Sequence, residues 1–269
     1  MSLSFRHLQL ERREDGIGRV VLHRPEVRNA FHAALIQELT DCFRTLCQEE
    51  DLRAIVLAGA GKVFCAGADA NWMRASVDFT PEENRRDALR MAEMLRAIDE
   101  CPVPVIARVQ GAALGGGVGL IAACDIVVAA KDAQFALSEV RLGIVPAVIS
   151  PFVLRKVGIA NARRYFLTGE RFSAHRAREM GLVHEVVPPD ALDDAVEGIL
   201  REILKNGPQA VREAKALIRR VPALPPDEVS EHCAETIARL RASPEGQEGL
   251  RAFLEKRPPR WVPPSSRPA

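Results

Sequence analysis

Residues 109–125 read VQGAALGGGVGLIAACD and carry no carboxylate, imidazole or amine before their last residue, Asp125. The stretch passes from a strand-like run (residues 104–109) through Gly115, Gly116 and Gly117 into an apolar run of helical character (residues 118–123). Such a junction predicts an α/β crossover in which the first N–H groups of a helix stand free, with only hydrogen on the neighbouring α-carbons. A second loop of the same make-up, GKVFCAGADANWM (residues 61–73), also follows a strand-like run and precedes a helix-like segment. Two N–H groups aimed at one oxygen could hold it as it becomes negative. Small residues also serve tight helix-on-strand packing, and one loop alone favours that use.

Outward from this junction the pattern stays α/β. HLQLERRED (residues 7–15) and IGRVVLHR (residues 17–24) read as strands joined at Asp15-Gly16, a hairpin signal. Phe31, Leu35, Leu39, Phe43 and Leu46 recur at helical spacing, LRAIVLAGAG (residues 52–61) is a buried strand, and residues 80–100 form an amphipathic helix opened by Thr80-Pro81-Glu82. VPVIARVQG (residues 103–111), DIVVAA (residues 125–130) and AQFAL (residues 133–137) are further strands. After about Phe152 helical spacing dominates: a helix over residues 173–183 closed by Gly181, two more divided by Gly207-Pro208, and two around residues 226–242 and 244–256. The expected division is a core over residues 1–200 and a helical region over residues 201–269, ending in a Pro-rich tail, flexible or tethered to a partner.

Composition narrows the function classes. The 269 residues carry 37 Lys plus Arg against 36 Asp plus Glu, which gives no bulk attraction to nucleic acid. Six cysteines lack CxxC or CxxH spacing and read as reduced thiols in a cytoplasmic protein. The polar N-terminus has no signal core, and the longest apolar stretch is broken by Asp125, so no membrane span is expected. The six histidines are dispersed, predicting no metal site. Neither glycine-rich loop has the Lys-Ser/Thr of a nucleotide-hydrolase P-loop. Asp69 reads as a helix cap and Asp125 as a strand brace; Cys65 and Cys124 read as packing residues without a neighbouring base.

Several ordered motifs together carry a resemblance. RPEVRNAF (residues 24–31, with Arg24, Pro25, Asn29 and Ala30), FCAGAD (residues 64–69), GAALGGG leading to ACDIVVA (residues 111–129) and ALSEVRLGIVP (residues 136–146) look like the enoyl-CoA hydratase/isomerase (crotonase) superfamily. GERFSAHRAREMGLVHEVV (residues 169–187) and FLEKRPPRW (residues 253–261) extend the similarity over nearly the whole chain. It implies an α/β fold of stacked ββα units in a superhelix, with a helical C-terminal region that assembles a homotrimer or a dimer of trimers. The ligand implied is an acyl-CoA thioester, with coenzyme A entering as part of the substrate and no separate cofactor. The backbone N–H groups of Ala68 and Gly116 would form the oxyanion hole, and Glu139 would be the acid/base. Ala66 would lie beside the adenine, Glu26, Val27 and Arg28 would border the nucleotide, and Phe253 and Lys256 would reach coenzyme A from an adjacent subunit. Gly67, Asp69, Ala70, Asn71, Trp72, Met73, Gly115 and Gly119 would complete the lining. Outside the family context Glu139 reads as an exposed strand-end glutamate; within it, Leu137, Val140 and Ile144 are expected to enclose the carboxyl and raise its pKa.

Two departures matter. Family hydratases with two catalytic glutamates carry the first where this chain has Gly119, and many members read PGGGGTQRL where residues 146–158 read PAVISPFVLRKVG. One remaining glutamate suits double-bond isomerisation, or hydration on one face, or a substrate that supplies its own acid group in the room left by Gly119. Arg74, Arg141 and Arg155 are candidates to pair with such a group, each more simply a solvated surface arginine. The variant motifs look like bacterial hydratases of leucine and related branched-chain breakdown that act on 3-methylglutaconyl-CoA or its longer isoprenoid analogue. The alternatives are a single-glutamate enoyl-CoA isomerase and a non-catalytic CoA-binding protein.

Overall fold

The computed structural model describes residues 5–262; most of the Pro-rich tail lies outside the described residues. β1 (Leu8–Arg12) and β2 (Ile17–Leu22) pair antiparallel across the expected turn, where Gly16 takes a left-handed φ of 85°. α1 (Ala33–Leu46) is capped by His32, whose Nδ1 accepts from the Leu35 N–H, and it is followed by β3 (Ala54–Gly59). Next come α2 (Ala70–Ser76) and α3 (Pro81–Asp99), the latter opened by a reciprocal cap between Thr80 and Glu83. β4 (Val105–Val109), β5 (Ala112–Leu114) and α4 (Gly116–Ala123) form one strand–strand–helix unit, and β6 (Ile126–Ala130), β7 (Gln134–Ala136) and α5 (Ser150–Thr168) form the next.

These units stack. A six-stranded sheet runs β1-β2-β3-β4-β6 and closes on β9 (Glu185–Val187), parallel throughout except for β1. A second, shorter ladder joins β5, β7 and β8 (Arg171–Ser173), and isolated bridges from Cys65 to Ala113 and from Phe31 to Ala68 extend it. The expected stacked ββα architecture is therefore present. β8 and β9 were not expected, because segments of three residues carry no readable alternation; the partners that define them are β7 and β6. α5 is also interrupted at Gly158 (φ 71°, ψ 163°).

The main core fills the space between α1, α3, α4, α5 and the sheets. α6 (Ala174–Glu179) follows β8, and Gly181 just beyond it adopts φ 84°, as a C-terminal glycine should. A smaller core lies on the other face of the large sheet, where α7 (Leu192–Leu204) presents Leu192, Val196, Leu200 and Leu204 at four-residue spacing to Ile17, Val56, Ile106 and Val128. The division expected at residue 200 falls inside this helix.

α8 (Pro208–Arg220), α9 (Pro226–Ala242) and α10 (Pro244–Leu254) complete the chain. α8 is anchored to the core by polar contacts. Arg212 donates to the carbonyls of Glu49, Glu50 and Leu52, while Lys215 donates to the Val103 carbonyl and, at 2.6 Å, to Asp125. The same Asp125 oxygen accepts from the Val105 N–H, so it braces β4 as expected. Lys215→Met should therefore leave part of this largely buried cluster unpaired, at about 1–3 kcal/mol. A thermal melt should show a midpoint lower by several degrees, and an unchanged midpoint would refute the anchor.

Candidate active site

The two glycine-rich loops are tied together by backbone hydrogen bonds. Leu114 donates to the Cys65 carbonyl and Cys65 to the Ala112 carbonyl. Gly67 (φ 90°) presses so close that a side chain there would start 2.9 Å from the Leu114 carbonyl oxygen. Phe31 donates to Gly67 and accepts from Asp69, which holds Ala68 extended between them. Gly115 takes φ 49° and donates to the Ala136 carbonyl, turning the chain into α4.

Among the N–H groups of these loops without a backbone acceptor are those of Ala68 and Gly116. Ala68 is exposed and Gly116 is half-exposed, and neither N–H has a protein acceptor among the described residues. Phe31 links them, since it bridges to Ala68 and its ring lies 3.1 Å from where a Gly116 side chain would start. Free, exposed donors at a helix start suit an oxygen that gains negative charge.

Glu139 begins a 3-10 turn (Glu139–Leu142) just after β7. Its Oε1 lies 3.1 Å from the position of a Gly115 side chain, so any residue but glycine there would press on the carboxyl. Oε2 is buried without a hydrogen-bond partner, alone in this among the described residues. Burial pushes the Glu139 carboxyl above its ordinary value, opposed only by its own backbone N–H. Leu137 is buried and Val140 partly so, but Ile144 is 57% exposed and does not enclose the carboxyl as expected. A buried acceptor with no partner is a place for a ligand's hydrogen-bond donor.

Asp69 supports this arrangement. It accepts from the Asn71 N–H as the cap of α2 and pairs with Arg24 at 2.8 Å in a largely buried contact. Burial alone would raise its carboxyl, but the Asn71 N–H and Arg24 hold it below the ordinary range. Arg24, His32, Asp69, Asn71 and Trp72 border an open cavity of about 360 Å³ beside the oxyanion loop. Ala70, Asn71 and Met73 are exposed on α2, and Trp72 is half-buried against the core.

The Glu26–Arg28 turn sits against the loop of Ala66, whose N–H donates to the Arg28 carbonyl. Buried Asn29 joins the two: its Oδ1 accepts from Arg24 N–H, and its Nδ2 donates to Ala60 and Val63. Asn29 also holds a left-handed φ of 56°. Asn29→Ala should cost about 2–4 kcal/mol, from three lost bonds and an unfavourable backbone. Denaturant unfolding measures this, and a loss below the error of the extrapolation would contradict the brace.

Other expected positions fall elsewhere. Phe253 is 80% exposed on α10, which packs on α8 and α9, and Lys256 is exposed just beyond that helix. The room expected beside Gly119 is filled, because a side chain there would start 2.8 Å from the Ile149 Cβ, with Ile149 Cγ2 closer still. An acid group of the substrate cannot occupy that space. Arg74 donates to Asn71, Arg155 pairs with Asp99, and Arg141 lies exposed against Gly169.

Sequence reasoning missed Phe31 and Met91, whose side chains close around Gly116, and Leu95, which reaches Gly119. Met91 and Leu95 belong to the apolar stripe of α3; the stripe was legible, its target was not. Asp87, one turn before Met91, is partly buried, and burial raises its carboxyl.

Comparison with known proteins matches residues 12–263 to the enoyl-CoA hydratase/isomerase family. A hydroxycinnamoyl-CoA hydratase-lyase of Pseudomonas fluorescens is 35% identical, over 90% of each chain. A peroxisomal Δ(3,5)-Δ(2,4)-dienoyl-CoA isomerase of Arabidopsis thaliana is 33% identical, over 96% of this chain and 98% of its own. The crystal structure of an enoyl-CoA hydratase from Shewanella pealeana superposes with a TM-score of 0.91 at 41% identity, covering 96% of both chains. The family match and these relatives together show that the chain belongs to the enoyl-CoA hydratase/isomerase (crotonase) family.

Proposed function

We infer that the protein is a hydratase adding water to a 2-enoyl-CoA thioester, with Glu139 as its one side-chain acid/base. The observation that carries this reading is the partnerless, buried Oε2 of Glu139 over Gly115, one residue before the free N–H of Gly116. The thioester oxygen accepts from Ala68 and Gly116, which draws electron density from the β-carbon. Glu139 takes a proton from water as the water oxygen bonds to the β-carbon, and the charge collects on the thioester oxygen. The protonated Glu139 then returns a proton to the α-carbon, leaving the 3-hydroxyacyl-CoA and a restored carboxylate.

The acyl group proposed is 3-methylglutaconyl, on the likeness of the glycine-loop and 146–158 motifs to hydratases of branched-chain breakdown. No cofactor beyond the substrate's own coenzyme A enters this scheme. Exposed Phe253 and Lys256 fit a role toward a neighbouring subunit's coenzyme A in a trimer or dimer of trimers.

Mixing the protein with crotonyl-CoA and with 3-methylglutaconyl-CoA should bleach the conjugated thioester absorbance, faster for the branched acyl group. Appearance of that absorbance from a 3-enoyl-CoA, with no bleaching of either 2-enoyl substrate, would replace hydration by isomerisation. Binding of acyl-CoA without turnover would replace both by a non-catalytic role.

A further inference from the structure

The two places where the chain leaves the two-glutamate pattern are thirty residues apart in sequence and meet in the fold. Gly119 lies four residues beyond Gly115, the non-helical cap of α4, and its N–H donates to the Gly115 carbonyl at 3.2 Å, so the two stand one turn apart at the start of this helix. Glu139 covers Gly115 and Ile149 covers Gly119, so the carboxylate and the isoleucine cover two glycines one turn apart at the start of α4. Ile149 is 2% exposed at the start of α5, where α4 and α5 pack, and Leu95 closes the niche from α3 at 3.7 Å. Because Ile149 is buried in a close-packed interior, moving it aside carries a packing cost. In sequence it stands third after Pro146, inside the 146–158 segment that departs from the family pattern. Removing the Ile149 side chain is what would leave a glutamate at 119 its room.

We propose that Ile149 commits this site to a single carboxylate: its side chain fills the niche that a second glutamate needs, so positions 119 and 149 can change only as a pair. The chemical consequence rests on the hydratase reading, whereas the packing does not. One turn from Glu139 the site is backed by hydrocarbon instead of charge. Both proton transfers therefore fall to Glu139, and an anionic acyl terminus has to lie away from this wall.

The test compares wild type, G119E, I149G and G119E/I149G. G119E should lose about 10 °C or more of thermal midpoint through overpacking. G119E/I149G should melt above G119E, even though I149G alone is destabilised by its cavity. In the double variant a second carboxylate stands beside Glu139, and like-charge repulsion should move the acid limb of the hydration rate upward by about one pH unit relative to I149G. The proposal is overturned if G119E melts with wild type, if the double variant melts at or below G119E, or if the two acid limbs coincide. Should wild type hydrate neither enoyl-CoA, the hydratase reading fails by itself. The melting comparison, with its pH dependence, still decides whether the pair is coupled.

Discussion

Glu139→Gln is expected to slow hydration of a 2-enoyl-CoA by about 10²- to 10⁴-fold, the usual worth of a positioned acid/base. The same change should make the protein more stable at neutral pH. Burial raises the Glu139 carboxyl above its ordinary 4.5, so the folded state holds this proton more tightly than the unfolded chain does. Its contribution to stability is fully present below 4.5 and is lost as pH rises through the folded value. Above the folded value the wild-type protein carries a buried, unpartnered carboxylate, and the neutral amide avoids that cost. Melts across pH should show the Gln variant ahead at pH 7–8, with the gap closing toward pH 4. The wild-type rate should fall in acid as Glu139 is protonated, with a midpoint above 4.5. A Gln variant with the wild-type rate would remove Glu139 from the mechanism.

Ala68→Pro should cost about 10²- to 10³-fold in kcat, the loss typical of deleting one oxyanion donor. Proline lacks the N–H, and in this fold the Ala68 N–H bonds to no protein acceptor among the described residues, so no internal hydrogen bond is sacrificed. The residues that hold the loop, Phe31 with Gly67 and Asp69, and Asp69 with Arg24, keep their contacts. Circular dichroism should match wild type while turnover falls. Loss of turnover accompanied by unfolding would place the Ala68 N–H in the fold instead of the chemistry, and full turnover would show that the thioester oxygen lies elsewhere.

What could be read from the chain alone was what neighbours along the chain decide. The Asp15-Gly16 turn, the cap from Asp69, the Thr80 helix start, Gly181 after α6 and the two strand–glycine–helix junctions all depend on a few consecutive residues, whose backbone preferences and hydrogen bonds act locally. The tertiary structure decided whatever depends on distant partners. β8 and β9 exist because β7 and β6 accept them, and α7 runs across the expected division because the far face of the large sheet needs covering. Glu139 became a buried acceptor, and Ile144 stayed outside, through the way α4 and the 3-10 turn meet. A glycine at 119 reads as space in one dimension and as a filled contact in three. Close packing leaves no niche empty, and which side chain fills it depends on residues brought from far along the chain.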